Sequence, residues 1–133
     1  IWDINNAASL LKIASEVLAG ELAAKQGNYS EAIAHLETAV NLEDQLKYDE
    51  PETWYYPVRQ SLGATLLQAN RAAEAETVYR EDLKHHPENG WSLFGLAQSL
   101  RAQGKTEEAA AVQKRFEKAW QYADITLPQI VQK

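Results

Sequence analysis

The chain contains no cysteine, which excludes disulfides, thiolate metal sites and a cysteine nucleophile. Methionine is absent as well; the sequence opens at Ile1 with no signal-peptide pattern after it, and is expected to be an excised fragment or a processed chain. No apolar run approaches the ~18 residues of a membrane span, so no membrane insertion is expected and a soluble, cytoplasmic setting is favoured. Basic residues never run beyond a pair. With 13 Lys and Arg against 19 Asp and Glu, the net charge of −6 leaves no clustered cationic surface for phosphates, and nucleic acid is not expected as a partner. A Gly-rich phosphate loop is missing too, as is any Ser/His/Asp grouping with a structural context. Catalysis is therefore not expected, and neither is a cofactor.

What is present points to helices. The apolar share of 45% and charged share of 24% are those of an ordinary globular chain, and 133 residues make one domain's worth. Only six glycines and four prolines occur, placed as punctuation. Asp3, Asn5 and Asn6 are candidate caps for a first helix carrying Leu10, Leu11, Ile13, Ala14, Val17 and Leu18 at helical spacing and stopping at Gly27. Ser30 is read as the cap of a second helix, Glu31 to about Leu46, with Ala32, Leu36, Ala39 and Val40 on its inner face. Pro57 suits the first position of a third helix running to about Ala69. Asn70 and Arg71 turn the chain into a helix over 72–85, closed by Pro87. Asn89 caps a helix over 90–103 that stops at Gly104, and Thr106 is read as the cap of the last helix, Glu107 to about Tyr122.

These helices repeat. Shifting Ser61–Pro87 forward by 34 residues places Leu62-Gly63 on Leu96-Ala97, Leu66 on Leu100, Asn70 on Gly104 and Glu74-Ala75 on Glu108-Ala109. Shifting it backward by 43 places Gly63 on Gly20, Asn70 on Gly27, Glu74-Ala75 on Glu31-Ala32 and Tyr79 on Leu36; the extra nine residues are an insertion. Units are expected over about 13–46, 56–88 and 90–122 of a single domain, with an insertion at 47–55 and a C-terminal tail at 123–133.

A 34-residue period with Leu-Gly on the first helix, a small Ala and an aromatic on the second, and a closing Pro resembles the tetratricopeptide repeat family. The middle unit carries Leu62, Gly63, Leu66, Ala75, Tyr79 and Pro87; Gly63 and Ala75 are small because paired helices must approach where they cross. Arg59 and Glu16 depart from the pattern by replacing a large residue, Asp82 by replacing a small apolar one, and Gln113 by replacing the aromatic, with Phe116 compensating. The run WYYPVRQSLGATLL, followed by VYRED and NGWSLFGLAQ, also resembles the C-terminal part of larger bacterial repeat proteins without assigned activity. The resemblance implies an all-α fold: a right-handed α-solenoid of three helical hairpins, about six to seven helices, whose concave face is lined by the first helix of each pair.

On that implied face lie Val17, Glu21 and Lys25 from the first unit, Gln60, Ala64 and Gln68 from the second, and Trp91, Phe94, Gln98 and Arg101 from the third. Amides, an aromatic pocket and an Arg make a plausible surface for a peptide or protein segment; the bland reading is that Trp91 and Phe94 only pack against the tail or a neighbouring repeat. A carboxylate clamp of the kind used by chaperone co-factors of the family is argued against, because its positions here are Val17, Glu21, Ser61, Trp91 and Gly95, and none carries a positive charge. Trp54, Tyr55 and Tyr56 in the insertion form either an interface patch or, more in keeping with their size, a packed plug. His85 and His86, one turn beyond Glu81 and Asp82, have a metal-like spacing, but a helix C-terminus already favours His, and no metal site is expected. His35 reads as an isolated surface residue. The expected role is a non-catalytic protein-interaction module. The alternative is the end piece of a longer array that packs on its own chain or forms a homodimer.

Overall fold

The computed structural model describes residues 2–49 and 58–122. Trp54, Tyr55, Tyr56, Pro57 and the tail 123–133 lie outside the described residues. The fold is all-α: α1 (Trp2–Lys25), α2 (Tyr29–Asp49), α3 (Val58–Gln68), α4 (Ala72–His85), α5 (Gly90–Ala102) and α6 (Thr106–Tyr122), with no strand among the described residues. They fall into two compact units, residues 1–69 and 70–133.

In the first unit α1 packs along α2, and α3 lies against α2. The core is Ile13, Val17 and Ala23 of α1 with Ala32, Ile33, Leu36 and Ala39 of α2, all buried. With buried Gly20, the α1 positions 13, 17, 20 and 23 and the α2 positions 32, 36 and 39 recur every three or four residues, which gathers them on one side of each helix. The helices touch closely at Gly20, where an added Cβ would sit 2.8 Å from Leu36 Cγ and 3.1 Å from the Ala32 carbonyl oxygen. Gly27 closes α1 at φ 80°, with Asn28 N–H donating to the Ala23 carbonyl at 2.8 Å and Gly27 N–H to that of Ala24 at 3.0 Å. This pair of bonds satisfies carbonyls the helix leaves unpaired.

Some expected boundaries shift. α1 begins at Trp2, ahead of Asp3, Asn5 and Asn6. α2 begins at Tyr29, so Ser30 is inside the helix and Asn28 holds the cap position: its carbonyl accepts from Ala32 N–H at 3.0 Å and its side-chain amide donates to Glu31 at 2.6 Å. α2 also continues through residues 47–49, the start of the expected insertion. His35 is not isolated, since its Nδ1 lies 2.8 Å from Glu16 Oε1 across the α1–α2 contact. Buried Arg59 of α3 clasps Asp44 of α2 with two parallel bonds, 3.0 and 2.7 Å. That fork explains how a guanidinium replaces an apolar side chain, because its charge is matched where it is buried.

In the second unit α5 packs between α4 and α6. Tyr79 of α4 lies across Gly95 of α5, where an added Cβ would fall 2.2 Å from Tyr79 Cζ. Burial and the neighbouring Asp82 charge push the Tyr79 hydroxyl up to about 12. Asp82 is itself buried and accepts from the Ser92 hydroxyl, which satisfies the acid standing where the repeat has a small residue. Asn89 caps α5, its Oδ1 accepting from Ser92 N–H at 3.1 Å. At the far end Gln103 Nε2 donates to Glu76 at 2.8 Å and to the Ser99 carbonyl at 3.1 Å. Glu76 also accepts from Arg80 at 2.7 Å and Lys105 at 3.2 Å, and these donors, Arg80 first, hold its carboxyl well down at about 2.

Gly104 repeats the Gly27 closure at φ 81°, with Lys105 N–H on the Leu100 carbonyl at 2.9 Å. Asn70, aligned with both by the repeat, takes φ 63°; asparagine is among the few non-glycine residues that visit this region readily. α6 starts at Thr106, so Thr106 is its first helical residue and not its cap.

Candidate interaction surface

Two surfaces gather the residues singled out by the repeat register. In the first unit Glu21 and Lys25 of α1, Tyr29 of α2, and Ala64 and Gln68 of α3 line an open groove of about 360 Å³. Gln60 lies two turns before Gln68 on α3, half-buried and outside that lining. Val17 does not belong to the groove: it is 1% exposed and part of the core between α1 and α2.

In the second unit Trp91, Phe94, Gln98 and Arg101 recur at i, i+3, i+7 and i+10, which sets them on one side of α5. The aromatic pair does not stand alone. The Trp91 ring meets Trp120 of α6 edge-on, centroids 5.3 Å apart at 87°. Phe94 lies 5.5 Å from Phe116, and Phe116 lies 5.2 Å from Trp120. Such offset and edge contacts are the favoured aromatic geometries. Trp91 nonetheless keeps 50% of its surface exposed and Phe94 36%, so each ring has one packed flank and one open flank. Gly90 makes room for the cluster, since an added Cβ there would meet Trp120 Cε3 at 2.7 Å.

Past the aromatics the strip becomes polar. Arg101 donates from Nη2 to Gln113 Oε1 at 2.8 Å, and Gln113 in turn donates to Glu117 at 3.4 Å. Arg101, Gln113, Lys114 and Glu117, with Thr106, border an open groove of about 400 Å³ between α5 and α6. The α6 contribution, Trp120 and Gln113 above all, escapes the repeat pattern because the last helix departs from it. The only sequence signal is Gln113, Phe116 and Trp120 spaced three and four apart on one face.

Among the described residues no group of three or more His, Cys, Asp and Glu is placed to hold a metal ion. His85 instead lies 3.5 Å from Glu81, its ring tilted 50° from that of His86. Among the described residues no helix is long and apolar enough to cross a membrane.

Two family models described as tetratricopeptide repeat match the chain, one over residues 61–124 and one over residues 17–45. No curated protein matches it.

Proposed function

Because the chain belongs to the tetratricopeptide repeat family, whose members generally mediate protein–protein interaction, we propose that it is a non-catalytic module binding a peptide or protein segment. The faces offered to such a segment are, in the first unit, Glu21 and Lys25 of α1 with Gln60 and Gln68 of α3, and, in the second unit, Trp91, Phe94, Gln98 and Arg101 of α5. The observation that carries this reading is the pair of half-open rings, Trp91 and Phe94, supported from behind by Phe116 and Trp120. Aromatic anchors held rigid before binding lose little entropy on association, and such residues dominate interface energetics.

The test is selection of binders from a random 12-residue peptide display library on the whole chain, followed by titration of the recovered peptides. Phe94→Ala should weaken binding at least about tenfold, the scale of losing one interface anchor, with the helical circular dichroism unchanged. Peptides that bind the wild type, Trp91→Ala, Phe94→Ala and Gln68→Ala equally well would remove the reading.

One observation favours a second role, packing against another copy or another part of a longer array. Leu11, Leu18 and Leu22 are 72%, 68% and 56% exposed, and their spacing of seven and four sets them in a line along the outer side of α1. Sedimentation velocity over a wide concentration range separates the two. A dimer dispersed by Leu18→Lys supports packing against another copy; a monomer throughout removes the homodimer.

A further inference from the structure

The α5–α6 strip has two chemically different ends, and they constrain what it would hold. At one end Phe94 and Phe116 form an apolar seat. At the other, Arg101 is fixed by the neutral amide of Gln113 rather than by an acid. Among the described residues neither Arg101 nor the adjacent Lys114 makes an ion pair. The guanidinium has five donors, and the Gln113 bond occupies one of them while holding the group toward the groove. Glu117, the one acid among the described residues that line that groove, is engaged from Gln113. The local balance is thus two cations to one anion on a chain whose net charge is −6. This reverses the sign of the rest of the molecule at the point where the aromatic seat ends.

We infer that this strip takes an internal peptide segment in which a large apolar side chain and an Asp or Glu stand about three residues apart, the apolar group on Phe94 and Phe116 and the carboxylate on Arg101. The inference deepens the segment-binding reading and rests on it. The spacing follows from geometry: Phe94 and Arg101 are seven helical residues apart, or about 10 Å, and an extended segment covers that in about three residues. The carboxylate is matched to a planar fork able to take it through two bonds, which a phosphate-binding lysine cluster would not require. A side-chain carboxylate is specified, not a free C-terminus, since the seat must continue past Arg101 toward Thr106 and Ala110 at the far end of the groove.

The test uses the same random 12-residue display library, with every peptide's C-terminus fused to the carrier, selected in parallel on the wild-type chain and on Arg101→Glu. Arg101 is exposed on a helix, and unchanged circular dichroism establishes that the variant is folded. In the wild-type pool, Asp and Glu should be enriched at least about threefold over the input at two to four residues from an apolar anchor, as expected for one exposed charge pair. In the Arg101→Glu pool that position should turn to Lys and Arg. The same acid enrichment in both pools, or none in either, overturns the inference. A pool whose peptides depend on Phe94 but carry no acid at that spacing overturns it too, while leaving the segment-binding reading in place. Failure to recover any Phe94-dependent peptide defeats both.

Discussion

Replacing Gly95 with Ala should destabilise the chain even though alanine is the better helix former. In an open helix the exchange would gain about 1 kcal/mol. Here the new Cβ would stand 2.2, 2.4 and 2.6 Å from Tyr79 Cζ, Cε1 and Cε2, where carbon atoms prefer about 3.5–4 Å. The ring must retreat by about 1 Å or more, yet Tyr79 is only 4% exposed and lies beside buried Asp82. Overpacking of this kind costs about 1–3 kcal/mol, and contact with three atoms of a rigid ring belongs at the upper end. The net loss should be about 1–2 kcal/mol. Leucine has no counterpart of the three clashing atoms, so in a Tyr79→Leu background the same Gly95→Ala change should stabilise by about 1 kcal/mol, giving a coupling of about 2–3 kcal/mol. Urea unfolding of the four proteins, followed by circular dichroism, measures each corner of the cycle. A Gly95→Ala effect of the same sign and size in the wild-type and Tyr79→Leu backgrounds would refute the reasoning.

Glu76 provides an acid-dependent share of stability. Its folded pKa of about 2 lies below the ordinary carboxylate value of 4.5, so its contribution is complete above that value and is lost as pH falls through about 2. The drop in urea midpoint between pH 5 and pH 2.5 should be smaller in Glu76→Gln than in wild type; equal drops would show that other carboxylates carry the effect. Arg59→Ala should cost about 1–2 kcal/mol by urea unfolding, because it empties the buried space of the arginine stem, while Asp44, 41% exposed, exchanges its fork bonds for water. Arg59→Leu, which restores the apolar residue of the repeat, should cost at least about 1 kcal/mol less, and equal losses would show that the ion pair and not the packing sets the effect.

The parts of the fold that depend on one residue's own backbone or on helical period were legible in the sequence. Gly27, Asn70 and Gly104 align at fixed offsets, and all three adopt the left-handed conformation that turns a helix into its partner. Gly20 aligns with the same Leu-Gly column, and its contact with Leu36 gives the physical reason for a small residue there. Periodicity also sets Trp91, Phe94, Gln98 and Arg101 on one side of α5. What it could not supply was the partner across a helix–helix contact. Arg59 and Asp82 read as departures from the repeat because Asp44 and Ser92, fifteen and ten residues away, belong to other helices. Gly95 reads as one more surface position in the sequence because Tyr79, the ring that covers it, comes from α4. Ser30 and Thr106 have the chemistry of caps, but the residues before them, Asn28 and Lys105, already carry the first helical carbonyls. The two open grooves were legible only as sets of residues, since their walls come from different helices.

The aromatic cluster of the second unit is also the fastening of α6. That helix packs chiefly on α5, apart from solvent-facing links such as Arg80 to Glu108 and Arg115 to Glu88, which are worth little individually. Phe116 and Trp120 are therefore at once the wall of the candidate seat and the hold of the helix that carries them. A segment seated on both Phe94 and Phe116 would recognise only the state in which α6 is seated, so occupancy and local opening are thermodynamically linked. At a hundred times its dissociation constant such a ligand would suppress α6 opening about a hundredfold. The exchange of the α6 amides would then read out occupancy with no change in the shape of the hairpin, and the helix that forms the wall of the seat would become its sensor.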